Sequence, residues 1–164
     1  NRLWAILSTT GNQIYHTGVF IPPVESNRRT SFFGDRRVYR YSNGATDTSI
    51  HAGVDYGVPT GTRVNACGDG RVVFTGMRIV TGYTVILEHA PGIYSLYYHL
   101  DSIDVQAGNI IKAGAQSGLS GSTGLSTGPH LHWEIRVSTE NTDPDSFINR
   151  QIIDKDLIIS RIFN

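Results

Sequence analysis

The chain has 164 residues, 39% of them hydrophobic, which suits one domain with a substantial core. Fourteen basic residues balance fourteen acidic ones, so no overall field draws the molecule to nucleic acid or to an anionic membrane. A single cysteine excludes an internal disulfide framework and a paired-cysteine metal site, and no apolar run approaches the ~20 residues of a membrane-spanning helix.

Residues 1–23, NRLWAILSTTGNQIYHTGVFIPP, have strand-like composition and end at a Pro-Pro break. The chain does not open on methionine and has no signal-type segment, so it reads as a piece of something longer. VESNRRTSFFGDRRVYRYSNGATDTS then reads as polar loops around one short strand. From Arg63 to Val137 come short β-type runs bounded by glycine: TRVNACGDGRVVFTG, GYTVILEHAPG, IYSLYYHL, GNIIKAG and HLHWEIRV. Their length and spacing predict a mainly β, antiparallel core of sandwich or barrel-like form. Cys67 occupies an apolar alternating position there and is expected to be a buried, inert thiol. In NTDPDSFINR, Asp143 as N-cap and Pro144 at the first helical position predict a short helix. The closing QIIDKDLIISRIFN is apolar enough to need cover, and strand, helix and partner contact all fit it.

The chemistry-bearing residues are histidines. His51 and Asp55, in HAGVDYGVPTGT, are four apart; on a straight strand they would share a face about 13 Å apart. Ligand atoms on one zinc must lie within ~3–4 Å of each other, so a shared ion requires the chain to bend at Gly53. His130 and His132, in TGPHLHWEI, point the same way if the segment is a strand, with Leu131, Trp133 and Ile135 on the core side. Glu134 shares the histidine face, where a ligand, a partner to a ligand and a solvated carboxylate all fit; the last is the expectation. Two or three histidines with one aspartate and no competing cysteines form the ligand set of a catalytic zinc site that keeps one position for water. His89 is expected to be structural or to support a ligand, and His16 to lie on the surface. Tyr94, Tyr97, Tyr98 and Trp133 are divided by alternation between groove and core. The tract GLSGSTGLSTG lacks the lysine and helix of a phosphate-binding loop and reads as tight backbone beside a groove.

Together, SFFGDRR, HAGVDYGVPTGTRVNACGDGRVVFTG, GYTVILEHAPGIYSLYYHLDSI, AGNIIKAGAQSGLSGSTGLSTGPHLHWEI and DPDSFI resemble, in order and spacing, the lysostaphin-type zinc metalloendopeptidases that cleave peptidoglycan peptides. The resemblance runs from Thr30 to Ile148, departing at Asn109, where an aspartate is commoner, and at Cys67. It implies one Zn2+ held by His51, Asp55 and His132, with His99 and His130 on the catalytic positions. It also implies an antiparallel sheet with a substrate groove walled by loops, stem peptides or cross-bridges of peptidoglycan as substrate, and action in the cell envelope. The domain expectation is an N-terminal extension over 1–29, a metallopeptidase domain over 30–148 and a C-terminal tail over 149–164. One competing reading is a non-catalytic relative that binds cell wall or activates an amidase; such proteins typically lose ligands, and all five positions are intact here. A carrier-type barrel suggested by RVNACGDGRVV and GNIIKAGAQSG fails because Lys112 lies inside a strand-like run, not at a hairpin tip.

Overall fold

The structure, a computed structural model, describes residues 2–163. In chain order it contains helix α1 (Arg2–Ser8) and strands β1 (Arg29–Ser31), β2 (Arg36–Arg40), β3 (Thr46–Ile50), β4 (Val54–Tyr56), β5 (Arg63–Asn65) and β6 (Gly70–Arg78). Strands β7 (Gly82–Ala90), β8 (Ile93–Ile103), β9 (Ile110–Ile111), β10 (Gln116–Ser120), β11 (Leu131–Val137) and β12 (Glu140–Thr142) follow, then helices α2 (Asp145–Asn149) and α3 (Lys155–Phe163). The main sheet is antiparallel with order β1-β4-β11-β8-β7-β6-β9; β10 bridges β8 and β5, and β12 extends β11. It ends at two edges, so it is an open sheet and not a closed barrel. The mainly β, antiparallel expectation holds.

Period-2 alternation decides the faces. Val85, Leu87, Tyr97, Leu131, Trp133 and Ile135 turn to one side, where they pack with Phe20, Val64 and Cys67 in the larger core. Burying each large side chain of this kind contributes about 1.5–3 kcal/mol. Ile86, Tyr94, Leu96 and Tyr98 turn to the other side, where Leu7 covers them. His132 lies opposite Tyr98 in the register of β11 on β8, so the histidine pair belongs to this second face.

Two local expectations change and one open choice is settled. Residues 2–8 form a helix although their composition suits a strand: no strand among the described residues pairs with them, and Leu3, Ile6 and Leu7 recur at helical spacing over the sheet. The segment expected to hold one short strand holds β1 and a separate β2–β3 hairpin. Its signal is the Asn43-Gly44 dipeptide, with Gly44 at φ 83° and Tyr41 N–H donating to Ala45 O at 2.9 Å. The closing segment takes the helical option, as α3. The helix at 145–149 forms as expected: Pro144 is already helical (φ −60°, ψ −29°), and Asp145 N–H donates to Asp143 Oδ1 at 3.1 Å.

Parts of the segment 2–28 pack on the sheet. Phe20 is buried, donates its N–H to Phe147 O at 2.8 Å, and lies with its ring 4.6 Å from that of His89. Gly11 N–H donates to the buried carboxylate of Glu88. His16, expected at the surface, is half-buried and stacks on Phe20 at 5.4 Å.

Candidate metal centre

Strands β4 and β11 are neighbours, with Asp55 directly opposite His132, so register alone brings together residues 77 positions apart. His51 arrives through the bend anticipated at Gly53. A Cβ at Gly53 would lie 2.2 Å from the carbonyl oxygen of Trp133, so only glycine lets the chain press against β11 and turn. His51 Nε2 then lies 3.1 Å from Asp55 Oδ1 and 3.0 Å from His132 Nδ1, while His132 Nδ1 lies 2.7 Å from Asp55 Oδ1. All three side chains are buried.

The outward nitrogen of each imidazole is committed elsewhere. A carbonyl can only accept, so His51 Nδ1 carries the proton that it donates to Phe32 O (2.8 Å), leaving Nε2 as a lone pair facing Asp55. His132 Nε2 donates to Glu134 Oε1 at 3.0 Å, which turns Nδ1 inward. Glu134, expected to be solvated, is instead 3% exposed and also accepts from Arg136 Nε at 2.8 Å. It holds the orientation of His132, as carboxylates behind metal-bound histidines do. Asp55 spends its other oxygen on Arg37 Nη2, at 2.7 Å, and so presents only Oδ1 to the cluster.

Electrostatics follow from this packing. Burial opposes the charge on Asp55, but the hydrogen bond from His132 and the adjoining His51 imidazole outweigh it and hold the carboxyl well below its usual range. Burial likewise opposes a charged His132, yet Asp55 and Glu134 on its two sides raise it to about 9. A protonated His132 is thus the cation of the cluster. With its Nδ1 proton gone, two nitrogens and one carboxylate oxygen converge with lone pairs 2.7–3.1 Å apart. Tetrahedral zinc with bonds of about 2.0–2.1 Å spaces its ligands by about 3.3 Å, so the cluster needs to open by only a few tenths of an ångström. The donor set and its outward supports fit zinc.

His99 and His130 stand beside this cluster, with ring centroids 4.6 Å apart, and His99 is 6.3 Å from His132. Strict alternation would send His99 to the core with Tyr97. Instead β8 bulges: Tyr97 pairs with Val85 and Leu100 with Tyr83, so Tyr98 and His99 together oppose Thr84. His99 takes φ 59°, held by its N–H to Thr81 O at 2.8 Å, and swings onto the face of the metal cluster. The Gly/Ser/Thr tract supplies the orienting carbonyls. His99 Nδ1 donates to Thr123 O (2.7 Å) and His130 Nδ1 to Gly128 O (2.8 Å), so both rings keep an Nε2 lone pair. Burial lowers His99 to about 4, with the hydrogen bond to Thr123 opposing the shift and His130 and His132 adding to it.

The remaining sequence candidates fall outside the cluster. His89 is buried, with Nδ1 donating to Asp69 O and Nε2 2.7 Å from Ser95 Oγ, a structural setting. Cys67 is fully buried and burial pushes its thiol up to about 12, so it is inert as expected. Tyr97 and Trp133 lie in the larger core, Tyr94 lies under Leu7, and Tyr98 stacks on His132 with ring planes 2° apart. Arg37 is a contributor that sequence reading missed, whereas Glu134 was among the candidates and only its expected solvation is corrected. Glu134 was legible as sharing the histidine face; Arg37 had no local signal.

Residues 49–144, more than half of the chain, match the sequence profile of peptidase family M23. The DD-carboxypeptidase/endopeptidase Mpg of Neisseria meningitidis serogroup B is 39% identical over 129 residues, 79% of this chain and 29% of that protein. The peptidoglycan DD-endopeptidase ShyA of Vibrio cholerae is 39% identical over 116 residues, 70% of this chain and 26% of that protein. Among solved structures, a zinc-containing peptidase from Vibrio cholerae superposes with a TM-score of 0.66 at 30% identity, covering 81% of this chain and 40% of that one. The chain therefore spans less than a third of the length of the two curated relatives.

Proposed function

Because the chain belongs to peptidase family M23, we propose that it is a zinc-dependent endopeptidase that hydrolyses peptide cross-links of bacterial peptidoglycan in the cell envelope. The observation that carries the reading is the convergence of His51 Nε2, Asp55 Oδ1 and His132 Nδ1 beside two further histidines with Nε2 lone pairs. The unit that carries the activity is residues 30–148, flanked by an N-terminal extension over 1–29 and a tail over 149–164. The DD-bond in the names of both relatives is the bond proposed for this chain.

His51, Asp55 and His132 hold one zinc ion. Bound there, zinc lowers the pKa of a coordinated water to about 7 and polarises a substrate carbonyl. The protein's own groups do the rest. Arg37 keeps Asp55 to a single ligating oxygen, and Glu134 and the Phe32 carbonyl keep both imidazoles in the ligating tautomer. His99 and His130 act as a pair at Nε2: one accepts the proton of the attacking water, and the pair returns a proton to the leaving amine. The left-handed His99 and the tract carbonyls fix these nitrogens before substrate arrives, which limits reorganisation during the reaction. A module that only binds cell wall has no use for two such nitrogens beside a complete ligand set.

The test is digestion of purified sacculi with and without a chelator, reading fragments by mass, together with zinc analysis of variants. His132→Ala loses zinc. His99→Ala and His130→Ala retain zinc and lose about 10²–10⁴ in rate, the usual contribution of a positioned acid or base. Sacculi unchanged by the zinc-loaded protein, or full hydrolysis by His99→Ala, overturn the corresponding assignment.

A further inference from the structure

The Gly/Ser/Thr tract holds one side chain that the chemistry above does not use, the hydroxyl of Thr123. Tyr83 and Leu100 are register partners on β7 and β8, next to the bulge that contains Tyr98 and His99. Thr123 Oγ1 sits between them: it accepts from Tyr83 N–H at 2.9 Å and donates to Leu100 O at 2.6 Å. The carbonyl of the same residue accepts from His99 Nδ1 at 2.7 Å. One residue therefore grips the strand pair beside the bulge with its side chain and the imidazole with its backbone. The close approach depends on Gly82, at φ 64°, where a Cβ would lie 2.3 Å from Thr123 Oγ1 and 2.4 Å from Thr123 O.

A carbonyl orients a ring only as firmly as its own residue is held. Thr123 is half-buried, while Ser122, Gly124 and Leu125 around it are exposed, and Gly124 takes φ 77°. The tract is tied to the β6–β7 turn by Leu125 N–H to Val80 O at 2.8 Å, and the same turn holds the His99 backbone through Thr81 O. Ser126 Oγ, by contrast, donates to Gly128 O inside the tract and anchors it to no strand. The Thr123 hydroxyl is thus the side-chain anchor that fixes the tract on β7 and β8 at the point where His99 needs its acceptor. Without a fixed acceptor at Nδ1, a neutral imidazole divides between its two tautomers, and the form protonated on Nε2 has no lone pair there to take a proton.

We propose that Thr123 is a positioning residue for His99. Its hydroxyl bridges Tyr83 N–H and Leu100 O, which sets its carbonyl against His99 Nδ1 and keeps the Nε2 lone pair on the face of the metal cluster. It acts through His99 alone and touches neither the zinc ligands nor the substrate. Its loss therefore lowers the rate of the chemical step and leaves substrate and metal binding in place. The kinetic consequence rests on the peptidase reading above; the tautomer of His99 does not.

The experiment uses the full chain loaded with zinc and soluble cross-linked muropeptides. Thr123→Val keeps the shape and removes the hydroxyl, whereas Thr123→Ser keeps the hydroxyl and removes the methyl group. Thr123→Val lowers kcat about 10–100-fold, as losses behind an oriented histidine do, with KM and zinc content unchanged. Thr123→Ser recovers most of that loss. Added to His99→Ala, Thr123→Val changes kcat by no more than about twofold, because residues that act as one unit are not additive. A full multiplication of the two losses, an effect on KM in place of kcat, or a serine variant no better than valine overturns the proposal. Nitrogen-15 NMR of the His99 ring gives a second readout: wild type holds the Nδ1–H tautomer and Thr123→Val a mixture, and the wild-type tautomer in Thr123→Val overturns the positioning role. If the valine variant does not fold, Thr123→Ala takes its place in each measurement. No cleavage by the zinc-loaded wild type overturns the peptidase reading, and the ring spectra then decide the positioning role alone.

Discussion

Glu134→Gln is the most informative single change, because it alters no atom that would touch zinc. The native carboxylate is buried and accepts from His132 Nε2 at 3.0 Å on one oxygen and from Arg136 Nε at 2.8 Å on the other. An amide has one acceptor and one donor end, so it can serve only one of those two N–H groups. If it faces Arg136 with its oxygen, its NH2 confronts His132 and favours the tautomer protonated on Nδ1, which places a proton where the metal belongs. If it faces His132, a half-buried Arg136 N–H loses its acceptor, which costs about 1 kcal/mol. Outer-shell losses of this kind weaken metal binding about 10–100-fold, or about 1.4–2.7 kcal/mol. Zinc affinity is measured by competition with a chromophoric chelator on folded protein, with Glu134→Asp as the variant that keeps the charge. A zinc affinity for Glu134→Gln within twofold of wild type would refute the role assigned to the carboxylate.

Three further outcomes follow from the packing. His89 is buried with a pKa lowered from 6.5 to about 4 by burial, partly offset by its hydrogen bond to Asp69 O, so the unfolded chain binds the extra proton first. Its stabilising contribution is complete above pH 6.5 and is lost as pH falls towards 4, by about 3 kcal/mol in total; chemical denaturation at several pH values should show a shallower acid loss in His89→Gln, and parallel curves would count against this. Gly53→Ala drives a methyl group into the Trp133 carbonyl at 2.2 Å and should lower Tm by many degrees while scattering His51 from Asp55 and His132; an unchanged melting curve contradicts the close approach. Phe20→Ala empties a ring-lined site between His89 and Phe147 and should cost about 3–5 kcal/mol, so a loss below 1 kcal/mol by denaturant titration would mean that the N-terminal segment contributes little to the fold.

Much of this site was legible because alternation is a local property of the chain. His130 and His132 share a face by spacing alone, and Leu131, Trp133 and Ile135 are all buried on the opposite side. The bend at Gly53 is required by the distance between His51 and Asp55 along an extended chain. Glycine-bounded runs between Arg63 and Val137 became β5 to β11. The identity of the ligand set came from resemblance, whose two signatures lie 75 residues apart in the chain.

Other features depend on which segments become neighbours, and no local pattern encodes that. The composition of residues 2–8 suits a strand, and the helix follows from Leu3, Ile6 and Leu7 at helical spacing packing on the second face of the sheet. Glu134 is buried because Arg136 and His132 satisfy its charge from either side, a compensation that a solvated strand end would not need. Arg37 reaches Asp55 only because the β2–β3 hairpin folds over β4. His99 had the wrong parity for the site, and a two-residue bulge in β8 reversed it. The sequence by itself therefore determined the donor types, the strand rhythm and the shared direction of the histidine pair. Tertiary structure decided which donors converge and which of their nitrogens stay free, since those follow from strand register, bulges and burial across distant segments.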